Sequence, residues 1–131
     1  MLVSLAERGY FKNAGLSMTF EMRLQDAPFQ KIKTGRKTIE LRLNDEKRRR
    51  ISVGDEILFT NADNGESLTV VVVALYPFTS FEALYRALPL EDCGYSKTEL
   101  EGASASDMDA YYSREEQEKY GVLGIRIRLK D

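Results

Sequence analysis

Three short stretches of this chain alternate apolar and polar side chains with a period of two, which commits much of the sequence to β-structure. In residues 18–24, Met18, Phe20, Met22 and Leu24 alternate with Thr19, Glu21 and Arg23. In residues 38–43, Ile39, Leu41 and Leu43 alternate with Thr38, Glu40 and Arg42. Near the end, Leu123, Ile125, Ile127 and Leu129 share one face, with Arg126 and Arg128 on the other. Successive strand residues point to opposite faces, so each stretch is expected to be a strand with one buried side. Two more strands follow from other signals. Val53-Gly54-Asp55 turns into a stretch with Ile57 and Phe59 on one face. Asp63-Asn64-Gly65 reads as a hairpin turn, and the β-branched run 68–75 as a central strand buried on both faces.

The helical signals are short. Asp26 is expected to cap a helix that carries Pro28 in its first turn and Phe29 and Ile32 on one face, and Gly35 is its stop. Thr79-Ser80 caps a second, with Phe81, Leu84, Tyr85 and Leu88 as its apolar stripe and Pro89 beyond it. Residues 90–119 read as loop with short helices at 96–100, 106–112 and 114–119. At 131 residues there is chain for one core. The expected fold is α+β: a small β-barrel of about five to six strands with flanking short helices. It is assigned to residues 18–131. Residues 1–17 have weak periodicity and are expected to be an N-terminal extension, either outside the native start or poorly ordered; a short packed helix is the alternative.

Composition narrows the chemistry. The chain has no histidine, which removes Ser-His-Asp and Cys-His nucleophiles, His-ligated zinc and imidazole acid–base catalysis. Its single cysteine, Cys93, can form neither an intrachain disulfide nor a CxxC pair, so a reducing, cytoplasmic compartment is expected. The longest apolar run, about residues 68–76, is far below the roughly 18 residues of a membrane span. No membrane partner, metal or cofactor is expected.

The formal net charge of −2 conceals a split. Residues 31–50 hold nine basic and three acidic side chains, and residues 91–119 hold three basic and nine acidic. The basic segment contains the most informative motif: Gly35-Arg36-Lys37-Thr38-Ile39-Glu40, then Arg42, and later Gly54-Asp55-Glu56-Ile57-Leu58-Phe59. Cations and hydroxyls at a strand edge suit phosphate oxygens, because arginine offers a forked donor and lysine a point charge.

These segments resemble the ASCH (activating-signal-cointegrator homology) domain family, over roughly residues 18–129. The resemblance implies a PUA-like barrel with a cleft between barrel and flanking helices, and RNA or a nucleotide or nucleoside as partner. One branch of the family comprises metal-independent amidohydrolases acting on N4-acetylcytidine through a Lys, a Thr and a Glu. The family lysine follows Gly-Arg, which places it at Lys37. The family threonine stands three residues later, where this chain carries Glu40 instead. The family glutamate falls near Glu91 or Asp92. Another ASCH type is a ribonuclease depending on Lys, Tyr and Ser, to which Lys37 again corresponds.

The candidate site is therefore Lys37 and Glu40 for catalysis, with Arg36, Lys37, Thr38, Arg42 and Arg48 for phosphate. A strand would put Lys37 and Glu40 on opposite faces, so Lys37 must reach the cleft from an irregular strand start. The alternative for Glu40 and Arg42 is a cross-strand charge ladder with Arg23 and Glu21. The hexads TFEMRL and TIELRL, 19 residues apart, are either coincidentally alike or line one polar cleft. Lys47-Arg48-Arg49-Arg50 is a solvated loop or a backbone contact for nucleic acid. Tyr111 and Tyr112 are base-stacking candidates, with core packing as the alternative. Asp107 and Asp109 lack a defined coordination set, and Cys93 has no assigned role. Three functions remain: an RNA- or nucleotide-binding module, a metal-independent hydrolase of a modified nucleoside or RNA, and a module docking an acidic protein.

Overall fold

The computed structural model of the chain describes residues 17–131. The expected extension, all but its last residue, lies outside the described residues. Five strands, β1 (Thr19–Leu24), β2 (Ile39–Leu43), β3 (Glu56–Asn61), β4 (Ser67–Phe78) and β5 (Val122–Leu129), form one sheet in the order β1-β3-β4-β5-β2. β1 runs parallel to β3, and the other pairings are antiparallel. The sheet curls into a half-barrel with short helices at its flanks, in keeping with the α+β expectation.

The first two strands in sequence are thus the two edges of the sheet. On the β3 side, the carbonyls of Met18, just before β1, and of Leu24, its last residue, accept from the Glu56 and Ala62 amides. Carbonyls one residue out of phase, Glu21 and Arg23, face the open edge. There the Arg42 guanidinium donates to the Arg23 carbonyl at 2.8 Å, and the Lys47 ammonium donates to that of Glu21. Two cations from β2 and its following loop thereby occupy carbonyls that a neighbouring strand would otherwise satisfy.

Apolar side chains divide into two clusters. The sheet and helix α1 (Asp26–Lys33) enclose Phe20, Met22, Phe29, Ile32, Ile57, Phe59, Val70 and Ile125. On the other side, Ile39, Leu41 and Leu43 pack with Phe81 and Leu84 of α2 (Phe81–Ala87), Cys93 and Met108. The last helix, α3 (Arg114–Tyr120), follows a capping box between Ser113 and Glu116.

Several expectations change. Glu40 does not face outward with Thr38: both faces of β2 are covered, and Glu40 is 2% exposed. The β4 run is central but not wholly buried; Val70 and Val72 are inside, whereas Val73, at a bulge between Val72 and Ala74, is 37% exposed. Asp26 does not cap α1, whose N-cap is Gln25; its carboxylate instead accepts from Asn61 and Gln30. Residues 97–99 form a turn where a helix over 96–100 is expected, and the 3-10 helices that follow are Leu100–Gly102 and Ala105–Ala110. β1 and β2 are not paired, so the charge ladder is not formed; Glu40 finds its cations nearer by. Among the described residues, no helix is long and apolar enough to cross a membrane.

Candidate nucleotide cleft

A cavity of about 570 Å³ opens between the two sheet edges and the segment after α2. One wall carries Arg23, Lys37, Glu40 and Arg42, and the other carries Tyr85, Tyr95, Asp107, Tyr111 and Tyr112. The two related hexads both supply residues to it.

Glu40 is the centre of the first wall. Lys37 Nζ lies 2.9 Å from Oε1, and Arg42 Nε lies 2.7 Å from Oε2, so each carboxylate oxygen has its own cation. The strand begins only at Ile39. Lys37 therefore precedes the regular pleat, which lets it reach the same carboxylate as Arg42, the fourth residue of the strand. All three side chains are mostly buried: 12% exposed for Lys37, 3% for Glu40 and 13% for Arg42. Burial by itself would push the Glu40 carboxyl up, but the charges and hydrogen bonds of Lys37 and Arg42 outweigh it and hold the group at about 2. Burial likewise works against the Arg42 guanidinium, and Glu40 leads the interactions that leave its pKa raised. At neutral pH the cluster is one carboxylate between two cations, with one net positive charge.

The start of β2 is held by residues 92–94. The Asp92 carbonyl accepts from the Thr38 and Ile39 amides at 2.8 and 2.9 Å. The Gly94 carbonyl accepts from Lys31 Nζ at 2.7 Å. Gly94 has φ +111°, and a Cβ there would stand 3.2 Å from Lys37 Cδ. Gly94→Ala is expected to cost about 1–2 kcal/mol through backbone strain and to displace Lys37, a loss readable by urea denaturation.

On the second wall, Tyr95 Oη donates to Asp107 Oδ2 at 2.7 Å and lies 2.7 Å from Tyr85 Oη. Burial, then the bonds to Tyr85 and Asp107, push the Tyr95 hydroxyl far above the ordinary tyrosine range, so it stays protonated. Tyr111 is 60% exposed and reaches the cleft. Tyr112 also lines it, but stacks on Phe81 with ring centroids 6.1 Å apart. Cys93 is a cleft residue too, its thiol pushed up by burial to about 11 and hence inert.

Of the residues expected from sequence, Lys37, Glu40, Arg42, Tyr111 and Tyr112 line the cavity together. Arg36, Thr38 and Arg48 do not. Arg36 Nε donates to the Thr34 hydroxyl, and Arg48 pairs with Asp45 at 3.0 Å. Glu91 and Asp92 also stand outside, with Asp92 3.5 Å from Arg126. Sequence reasoning does not single out Arg23, Lys31, Tyr85 or Tyr95 as site residues. The repeated hexad points toward Arg23; Tyr95 sits in a loop with no local signal. Among the described residues, no group of three or more Cys, Asp or Glu is placed to hold a metal ion.

A five-stranded, PUA-like α+β half-barrel with a basic, tyrosine-walled cleft at its open edge defines the class of this protein. The ASCH domain family model matches residues 22–130, and the chain belongs to that family. The crystal structure of a hypothetical protein, PH0355, is 36% identical, covering 86% of this chain and 100% of its own, with a TM-score of 0.72. The solution structure of PF0455 from Pyrococcus furiosus is also 36% identical over 87% of this chain and 99% of its own, with a TM-score of 0.66. A tyrosine-to-phenylalanine mutant of ZmASCH from Zymomonas mobilis is 12% identical, covers 84% of this chain and 68% of its own, and shares the fold with a TM-score of 0.59. No curated protein matches the chain.

Proposed function

We propose that this ASCH domain binds single-stranded RNA by holding an unpaired nucleotide in the cleft. The observation that carries the reading is a nucleotide-sized cavity whose one wall is the Lys37–Glu40–Arg42 cluster and whose other wall presents the exposed Tyr111 ring. Pockets of roughly 300–1,000 Å³ suit small ligands. Cations supply phosphate contacts, and an exposed aromatic face supplies stacking that tolerates any base. Arg23, Lys31 and Arg42 are the cations available to phosphate. Arg36 and the Lys47–Arg50 loop lie outside the cavity and serve, at most, a strand that continues past it. The reducing, cytoplasmic compartment suggested by the lone Cys93 is where such a ligand is met.

Binding is favoured over hydrolysis by the groups in reach. Among the described residues lining the cleft there is no serine or threonine to act as a nucleophile. Glu40 is ionised at neutral pH and fully engaged by two cations, which suits an electrostatic anchor better than a general acid.

The test is titration of the purified protein with short single-stranded RNA at several salt concentrations. Binding with a log–log salt slope equal to a few phosphate contacts is expected. No binding at low salt, or turnover of N4-acetylcytidine abolished by Lys37→Ala, would overturn the reading. Tyr111→Leu is expected to weaken RNA binding by about 1 kcal/mol, roughly fivefold, leaving the salt slope unchanged, since stacking carries no charge.

A further inference from the structure

We propose that Tyr85 is a specificity-determining acceptor in the cleft, made so by the hydrogen-bond chain Tyr85–Tyr95–Asp107, and that it selects ligands presenting an N–H or O–H donor. The inference rests on the nucleotide reading of the same cavity. The direction of the chain follows from its end. An ionised carboxylate only accepts, so the Tyr95 hydroxyl must give its proton to Asp107 Oδ2, 2.7 Å away. The Ser104 amide donates to the same oxygen at 3.2 Å, which reinforces its role as acceptor. With its one proton used, Tyr95 can only accept from Tyr85, also at 2.7 Å. Tyr85 has then spent its proton as well. What remains for a ligand is a lone pair on Tyr85 Oη, in a residue that lines the cavity.

A carbonyl or phosphate oxygen placed against that lone pair is repelled, and a donor is accepted. The two walls therefore orient the ligand: anionic oxygens toward Arg23 and Arg42, and a donor edge toward Tyr85. In a ribonucleotide the donor has two sources, a base N–H or the ribose 2′-hydroxyl. Uncompensated burial of a polar group against the wrong partner is what gives such sites their selectivity.

The experiment starts with the wild-type chain and octamers of A, C and U at low salt. If none binds, the nucleotide reading fails and the inference with it. For the best-bound octamer, two donor-deleted versions are compared, one with every N–H of the base edge replaced by N–CH3 (N6,N6-dimethyl for A, N4,N4-dimethyl for C, N3-methyl for U) and one 2′-deoxy. One deletion is expected to weaken wild-type binding about tenfold, and which one identifies the source of the donor. In Tyr85→Phe the same deletion is expected to cost nothing, because the acceptor is gone. Tyr95→Phe provides a second readout. It frees the Tyr85 proton, lets Tyr85 donate as well as accept, and is expected to shrink the penalty severalfold. Both variants keep the edge-to-face ring pair, whose centroids are 5.9 Å apart, so folding is preserved. If neither deletion weakens wild-type binding, or if Tyr85→Phe discriminates as wild type does, the acceptor role is overturned while the RNA-binding reading stands.

Discussion

Replacing Glu40 by glutamine is expected to lower the stability of the domain by about 3 kcal/mol, because it strands Lys37 and Arg42 in a mostly buried site without their carboxylate. Such a loss lowers the melting temperature by roughly 10 °C or more in a domain of this size. The variant also has a pH signature. In the folded chain the Glu40 carboxyl titrates at about 2, below its ordinary value of 4.5. Its contribution is therefore complete above about pH 5 and fades as the pH falls from 4.5 toward 2. Thermal melts of wild type and Glu40→Gln should differ by a constant amount from about pH 5 to 8 and converge in acid. The comparison cancels the other lowered carboxyls, Asp26, Glu66 and Glu99, which both proteins share. A gap that persists unchanged down to about pH 2 would mean that the carboxylate's charge is not what the site requires. Adding Lys37→Met to Glu40→Gln should restore part of the lost stability, since the stranded ammonium is removed with its partner.

Reversing the charge at Arg23 should have the opposite profile. Arg23 is exposed at the mouth of the cleft, and it is its carbonyl, not its side chain, that accepts from Arg42. Arg23→Glu is accordingly expected to leave the melting temperature within about 1–2 °C of wild type, as exposed substitutions do. Affinity for single-stranded RNA should fall about 10- to 100-fold at low salt, and the salt slope should drop by about one phosphate. Fluorescence anisotropy across a salt series reads both quantities. An unchanged slope would place the RNA backbone away from β1 and sink the assignment of this wall to phosphate. Together the two variants separate the cluster's structural role from its binding role: Glu40 holds the wall together, and Arg23 is free to meet a ligand.

The strands are legible in the sequence because alternation is a local property. Residues 19–24, 39–43 and 122–129 carry it plainly, and Asp63-Asn64-Gly65 marks the β3–β4 hairpin through the backbone demands of its turn. The central position of β4 is also legible from its β-branched run, whereas its half-exposed outer face is not, since a bulge is set by pairing across β5. In the site, Lys37, Glu40 and Arg42 stand out as one motif. Tyr85 reads as part of an apolar helix stripe, and Asp107 as an acid without a defined partner. Only the packing of the 3-10 helix Ala105–Ala110 against α2 brings that acid to Tyr95 and makes a chain of them.

Local chemistry is enough to specify the strands, the barrel-like α+β class and the basic motif, because periodicity, turn chemistry and short-range spacing are written residue by residue. Three features exist only in the folded chain: Glu40 is buried between two cations, β1 and β2 are opposite edges stitched by Arg42, and the acidic segment supplies the tyrosine wall. The physical reason is the curl of the sheet. It folds two edges far apart in strand order back toward each other, and a side chain's dielectric, partners and charge state follow from what that closure places on its other face.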